Sequence, residues 1–283
     1  MMMARIITNE LLEAYEIHLY EEEKAVATIK KYICDLKKLQ NFTQGREIDK
    51  SMMVEYKQYL IEDGKYRESS ANSFLVAANC FFQFMGWQDI LVKLFKIQKE
   101  IFSPVERCLT KAEYKRLVRT AMKQKRIRLG MILQTICATG LRVSELQYVT
   151  VGAVKNGCIS VRNKGKSRKA LLPRKLQLQL KRYIDREHIQ NGSVFVTSGG
   201  HAVDRSNIWR EMKEICKLAD VDDRKVFPHN LRHLFAQCFY ALEKDIAKLA
   251  DILGHQSIET TRIYIKSTGE EHLKQLERMK LIL

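Results

Sequence analysis

Apolar residues return every three to four positions through most of the first hundred residues, and this rhythm constrains the fold more than any other feature. Leu11, Leu12, Tyr15 and Leu19 mark one helix from about Glu10 to Glu22. Ile29, Tyr32, Ile33, Leu36 and Leu39 mark a second from Thr28 to Phe42. Asp49 has the side chain to cap a third, with Met52, Met53, Tyr56 and Leu60 on its apolar face and Asp63-Gly64 at its end. Ser69 or Ser70 opens a fourth that closes near Gly86-Trp87. The pattern predicts a four-helix bundle over residues 1–100, with the Met and aromatic stripes as its core.

Residues 101–109 read as a linker, because Pro104 blocks helix propagation. Thr110 followed by Glu113 has capping-box spacing and opens a second domain, 110–283. Leu129 to Thr139 is an apolar helix closed by Gly140, and Arg142 to Tyr148 begins another helical turn. Cys158–Val161 and Ala170–Leu172 are β-rich around an Asn163-Lys164-Gly165-Lys166 turn, and Val194–Thr197 has strand composition. From Asn207 the pattern is helical almost to the end. The expected class is mainly α (α+β): an N-terminal four-helix domain and a C-terminal, mostly helical domain with a small β-sheet.

The charge is divided unequally between these halves. The chain carries 49 Lys and Arg against 33 Asp and Glu. Residues 1–102 hold 14 of the bases and 15 of the acids, which leaves 35 bases and 18 acids in 103–283. The excess concentrates in Lys111–Arg128 and Arg162–Arg186. That footprint suits a polyanion, with nucleic acid first. No apolar run is long enough to span a bilayer, so no membrane partner is expected. The N-terminus lacks the apolar stretch of a signal peptide. Seven cysteines without a CxxC pair suit reduced thiols, and a cytoplasmic location is expected.

A set of reactive residues occurs in order along the second half. Arg142 lies in Ala-Thr-Gly-Leu-Arg-Val-Ser-Glu-Leu (138–146) and Lys164 in the β-turn. His229 and Arg232 lie in Pro-His-Asn-Leu-Arg-His-Leu-Phe-Ala (228–236). His255 follows in Leu-Gly-His, and Tyr264 nine residues later in Thr-Thr-Arg-Ile-Tyr. From Leu109 to Lys266 this order and spacing resemble the tyrosine recombinases (site-specific recombinases and phage-type integrases), most of all the Xer-like branch. The resemblance implies that residues 1–100 are a core-binding domain clamping DNA and that 110–283 is catalytic.

The residue types suit phosphodiester chemistry. Two guanidiniums, Arg142 and Arg232, can hold the nonbridging oxygens with forked, charge-assisted hydrogen bonds. By resemblance, Tyr264 attacks phosphorus to give a 3′-phosphotyrosine, and Lys164 protonates the leaving 5′ hydroxyl. His229 serves as general acid or base, and His255 donates a hydrogen bond to phosphate. No cofactor and no metal is implied. Glu145 either orients Arg142 or is an ordinary acid at a helix start. Lys166 competes with Lys164 for the lysine role. Pro173 lies one residue further from Lys164 than the family pattern has it, and Lys164 is favoured because it precedes the glycine turn. Lys166, Arg168 and Lys169 are then DNA-backbone contacts or solvated charge. His229 and His233 have the i, i+4 spacing of a zinc pair, but Asn230 stands where a zinc protease needs Glu, so His233 reads as a packed histidine. Lys30, Lys31, Lys37 and Lys38 are candidate phosphate contacts of the first domain.

The expected partner is a double-stranded DNA recombination site, bound by a homotetramer on two duplexes, with a second recombinase or accessory proteins as further options. The family places the last helix, here with Leu273, Leu276 and Leu283 at helical spacing after Gly269, against a neighbouring subunit. Two rival readings stand beside this one: a nicking-closing topoisomerase of type IB, and a catalytically inactive DNA-binding or architectural protein. The DNA sequence, the spacer length and the biological task (resolving dimers or cointegrates, or integrating a mobile element) stay open.

Overall fold

Short polar caps set several of the helix starts in the computed structural model, which describes residues 4–97, 108–163, 166–197, 199–255, 257–264 and 277–279, without the side chains of 163 and 166. The chain divides into two compact units, Met1–Lys99 and Glu100–Leu283.

The first unit holds α1 (Asn9–Glu21), α2 (Val26–Thr43), α3 (Lys50–Glu62) and α4 (Glu68–Phe84). Thr8 accepts from the Leu11 amide, and Asp49 from the Met52 amide at 2.7 Å, each satisfying a first-turn N–H that the helix cannot. Leu36, Met53, Tyr56, Leu75, Phe81 and Phe82 are fully buried in one core. The chain then runs back over the bundle and is bracketed there. Asn79 bonds both the amide and the carbonyl of Val92, and Asn72 does the same to Phe95, at 2.8–3.0 Å. Lys50 donates to the Leu91 carbonyl, and Lys57 to that of Lys93 at 2.7 Å. Asn72 and Asn79 lie two turns apart on one face of α4, as Lys50 and Lys57 do on α3.

The second unit opens with α5 (Lys111–Lys123), whose capping box between Thr110 and Glu113 is complete in both directions. Next come α6 (Ile127–Thr139), a 3-10 turn (Val143–Tyr148), α7 (Val151–Asn156) and the strands β1 (Cys158–Asn163) and β2 (Lys166–Leu171). The strands form an antiparallel hairpin in register from Cys158↔Leu171 to Asn163↔Lys166. The remaining helices are α8 (Arg174–Arg186), α9 (Arg205–Cys216), α10 (Pro228–Glu243), α11 (Ile246–Leu253) and α12 (Ile258–Arg262). Leu129, Ile132, Leu133 and Ile136 of α6 are fully buried, each worth about 2 kcal/mol of burial. This apolar helix packs against α10 and so fixes the two segments that carry the arginines.

Three expectations change. Val143–Tyr148 is a 3-10 turn with Arg142 as its N-cap, and the Glu145 carboxylate accepts from the Arg142 amide. Val194–Thr197 forms no ladder: Val196 makes one bridge to Ala202, and Ser193 one to Thr150. The C-terminal helix expected after Gly269 lies outside the described residues apart from 277–279, which are exposed, 277 and 278 being helical and 279 a turn.

Candidate active site

Three chain reversals bring the reactive residues together. α6 ends at Gly140 with φ +66, and a Cβ there would stand 2.6 Å from Phe235 Cδ1 and 2.9 Å from Leu253 Cδ2. Glycine alone permits both the left-handed turn and this approach. Two residues on, Arg142 sends Nη1 to Glu145 Oε1 at 3.0 Å and keeps about a third of its side chain exposed. Pro228 opens α10, where a missing N–H costs nothing, and places His229 and Arg232 three apart on one face. Arg232 is 1% exposed. It donates through Nη1 to the Gly140 carbonyl and through Nη2 to the Leu253 carbonyl and to His255 Nε2, both at 2.8 Å. Its Nε is buried with no partner among the described residues. Burial, then the nearby Arg142, pull its pKa down to about 10, so it remains a cation at neutral pH.

The third reversal, Gly254 with φ +64, ends α11 and delivers His255. A guanidinium only donates, so His255 Nε2 accepts from Arg232 and its proton sits on Nδ1, which donates to Thr261 Oγ1 at 2.8 Å. Burial first, and then Arg232 and Arg142, depress the His255 pKa to about 4. In this arrangement His255 therefore braces Arg232 and presents no N–H at Nε2, which departs from the expected donation to phosphate. The fully buried Thr261 lies on α12, the helix that leads to Tyr264.

Tyr264 is 5% exposed and lies among three imidazoles, each with its ring centroid 5.4 Å away. The His255 ring stacks on it at 15°. Its hydroxyl is 3.3 Å from His229 Nε2. Burial, then Arg232 and Arg142, lower the His229 pKa and favour the neutral ring, whose Nε2 can accept the phenolic proton when the ring's own proton is on Nδ1. His233 Nε2 lies 3.0 Å from the Tyr264 carbonyl, which only accepts, so this ring carries its proton there. The histidine expected to be packed thus holds the backbone of the tyrosine. The His229 and His233 rings, one turn apart on α10, both pack against Tyr264.

Arg168 departs from its expected role. Its Nη2 donates to Glu145 Oε2 at 2.6 Å and its Nη1 to the Ile252 carbonyl at 2.9 Å. Only 15% of the side chain is exposed. Both of its Nη groups are held inside the protein, and its Nε is buried with no partner among the described residues. Lys169, its neighbour on the opposite face of β2, is exposed. Lys164 and the side chain of Lys166 lie outside the described residues.

Family models match both units. The phage integrase family model covers residues 107–271, and the N-terminal SAM-like domain of phage integrases covers 12–89. The chain belongs to the phage integrase family. Tyrosine recombinase XerA of Pyrococcus furiosus is 30% identical, with 99% of this integrase and 98% of the relative aligned. The crystal structure of XerA recombinase matches over 98% of this chain and all of its own, at 26% identity and a TM-score of 0.54. A lambda integrase tetramer bound to a Holliday junction shares the fold, with a TM-score of 0.73 at 17% identity over 92% of this chain and 77% of its own.

In the first unit of this integrase, the four candidate lysines separate into two kinds. Lys30, Lys31 and Lys37 are exposed, and Lys30 and Lys37 carry no side-chain hydrogen bond, ion pair or ring contact among the described residues. Lys31 pairs with the buried Asp35 and lies over the Phe74 ring, and Lys38 lies 4.3 Å above the Tyr66 ring and bonds its hydroxyl. The residues that sequence reasoning missed are Arg168, His233 and Thr261 as supports. For Arg168 a signal existed: strand alternation places it on the face of Ala170, which is buried. For Thr261 no local pattern distinguishes it from Thr260.

Proposed function

We propose that this integrase is a site-specific DNA recombinase in which Tyr264 Oη attacks a phosphodiester and forms a 3′-phosphotyrosyl bond as the P–O5′ bond breaks. His229 takes the phenolic proton. Arg142 and Arg232 hold the nonbridging oxygens, and the free Nε of Arg232 supplies one donor. Lys164 gives its proton to the departing 5′ oxygen. Attack of a 5′ hydroxyl from the second duplex reverses these steps and restores the phosphodiester, so no external energy source enters. The observation that carries this reading is the Tyr264 hydroxyl against a neutral His229, beside a buried, permanently charged guanidinium.

The domain roles complete the proposal. Residues 1–100 clamp the duplex, 101–109 link, and 110–283 catalyse. The last helix docks on a neighbouring protomer, so that four copies hold two duplexes in the cytoplasm. The tetrameric lambda integrase on a Holliday junction supports that assembly. The free state of all seven cysteines and the lack of a membrane-crossing helix among the described residues suit the location.

The test uses a nicked duplex selected by the wild-type protein from a random-sequence pool. Tyr264→Phe should bind this duplex with unchanged affinity and form no covalent adduct. An adduct that persists in Tyr264→Phe refutes the assignment.

A further inference from the structure

Glu145 poses a problem for any anion-binding site: it is a carboxylate, 2% exposed, next to the guanidiniums that would receive a phosphate. Alone with Arg142 it would neutralise that residue and repel the incoming charge. The structure shows a different division. Glu145 Oε2 goes to Arg168 Nη2 at 2.6 Å, Oε1 goes to Arg142 Nη1 at 3.0 Å, and Arg232 Nη1 is 4.0 Å away. Among the described residues Arg142 Nε and Nη2 carry no hydrogen bond. Three guanidiniums therefore face one carboxylate. Arg168 cancels Glu145, which leaves the charges of Arg142 and Arg232 for the phosphate.

Arg168 is also fastened from its other side. Its Nη1 reaches the Ile252 carbonyl at the end of α11, one residue before the Leu253 carbonyl that accepts from Arg232. A Cβ on Gly254 would fall 2.3 Å from Arg168 Cδ, so the left-handed glycine and the arginine share one space. One side chain of β2 thus ties the hairpin to the 3-10 turn of Arg142 and to the helix end before His255.

We propose that Arg168 is a positioning residue: it offsets the charge of Glu145 so that Arg142 is free to bind the scissile phosphate, and it makes no DNA contact of its own. This rests on the recombinase reading above. It makes a prediction that a merely structural role does not. If Arg168 acts by compensating Glu145, its removal matters only while Glu145 is charged.

The experiment is a double-mutant cycle on adduct formation, with the full chain and the same selected, nicked duplex. Arg168→Met should slow adduct formation about 10²-fold, the scale of losing one aligned transition-state donor. In a Glu145→Gln background the same substitution should change the rate by less than about 3-fold, because no carboxylate remains to compensate. A loss in that background at least half as large, on a logarithmic scale, as in the wild type overturns the proposal. The log–log dependence of DNA affinity on salt should keep its slope in Arg168→Met. A drop of about 0.9 would mark Arg168 as a phosphate contact and overturn the proposal equally. If Arg168→Met does not fold, Arg168→Gln, which keeps a donor for the Ile252 carbonyl, enters the same cycle. Tyr264→Phe, run alongside, separates failure of this proposal from failure of the recombinase reading. An adduct retained in Tyr264→Phe overturns the recombinase reading, whereas the cycle speaks only to Arg168.

Discussion

Replacing Gly140 by alanine tests whether the turn after α6 is a packing joint of the site or merely a place where the chain reverses. Two costs apply. An alanine at φ +66 is strained by about 1–2 kcal/mol. Its Cβ also meets Phe235 at 2.6 Å and Leu253 at 2.9 Å, and overpacking of a filled core adds about 1–3 kcal/mol. Gly192 provides the control: its φ is +74, but nothing lies within 4 Å of its Cβ position. Gly192→Ala should therefore cost only the backbone share, and Gly140→Ala about 1–3 kcal/mol more. Urea unfolding followed by tryptophan fluorescence measures the difference. The two tryptophans fall in different units, so a Trp87→Phe background leaves Trp209 as the reporter of the second unit. Two-state analysis then applies to that unit alone. The displaced atoms include Leu253, whose carbonyl holds Arg232, so adduct formation by the folded fraction should fall as well. Equal destabilisation by Gly140→Ala and Gly192→Ala would refute the packing argument.

Acid should weaken the second unit before its carboxylates titrate. The folded pKa of His255, about 4, lies below its ordinary 6.5, so between those values the unfolded chain binds more protons and stability falls as pH falls. Urea midpoints of the second unit at pH 7 and pH 5 check this, and His255→Gln should reduce the difference, leaving the share of His229 and His233, whose pKa values burial also lowers. Lys30→Ala with Lys37→Ala should reduce the salt slope of DNA binding by up to about 0.9 for each phosphate left without its lysine. Lys38→Ala should instead destabilise the first unit by about 0.5–1 kcal/mol, because no cation then lies over the Tyr66 ring, as measured by thermal unfolding. Lys164→Ala should slow cleavage of ordinary DNA and be rescued by a bridging 5′-phosphorothioate, whose thiolate leaves without a proton. Rescue of Lys166→Ala in place of Lys164→Ala would move the assignment by two residues.

Local chemistry was legible where one residue decides an outcome. Asp49 and the Thr110–Glu113 pair announce helix starts because their oxygens satisfy amides three residues away. Gly140 announces a helix end because no other residue suits a left-handed turn under Phe235 and Leu253. The hairpin was visible from its composition, although its strands run further toward the turn than the β-rich residues alone suggest. Contacts across the chain were less visible. Arg168 lies in a basic stretch, and from composition it looks like its exposed neighbour Lys169. What separates them is the carboxylate of Glu145, 23 residues earlier. Lys31 and Lys38 read as candidate phosphate contacts for the same reason, since the rings beneath them come from the distant Tyr66 and Phe74. The helical turn at Val143–Tyr148 was expected, but its 3-10 geometry was not, because apolar periodicity over six residues does not separate a 3-10 turn from an α turn.

The brackets on Val92 and Phe95 bear on where the first unit can be cut. Its last α-helix stops at Phe84, yet the side-chain amides of Asn72 and Asn79 are satisfied only by chain that comes 8 to 11 residues later. An excised fragment ending with α4 would leave two asparagines and two lysine ammoniums with no protein partner, and would bare the apolar surface that Ile90 and Val92 cover. The smallest piece that is chemically complete therefore ends beyond Phe95. Seen this way, α3 and α4 serve as a docking edge, with side chains at seven-residue intervals taking the place of a neighbouring β-strand's backbone.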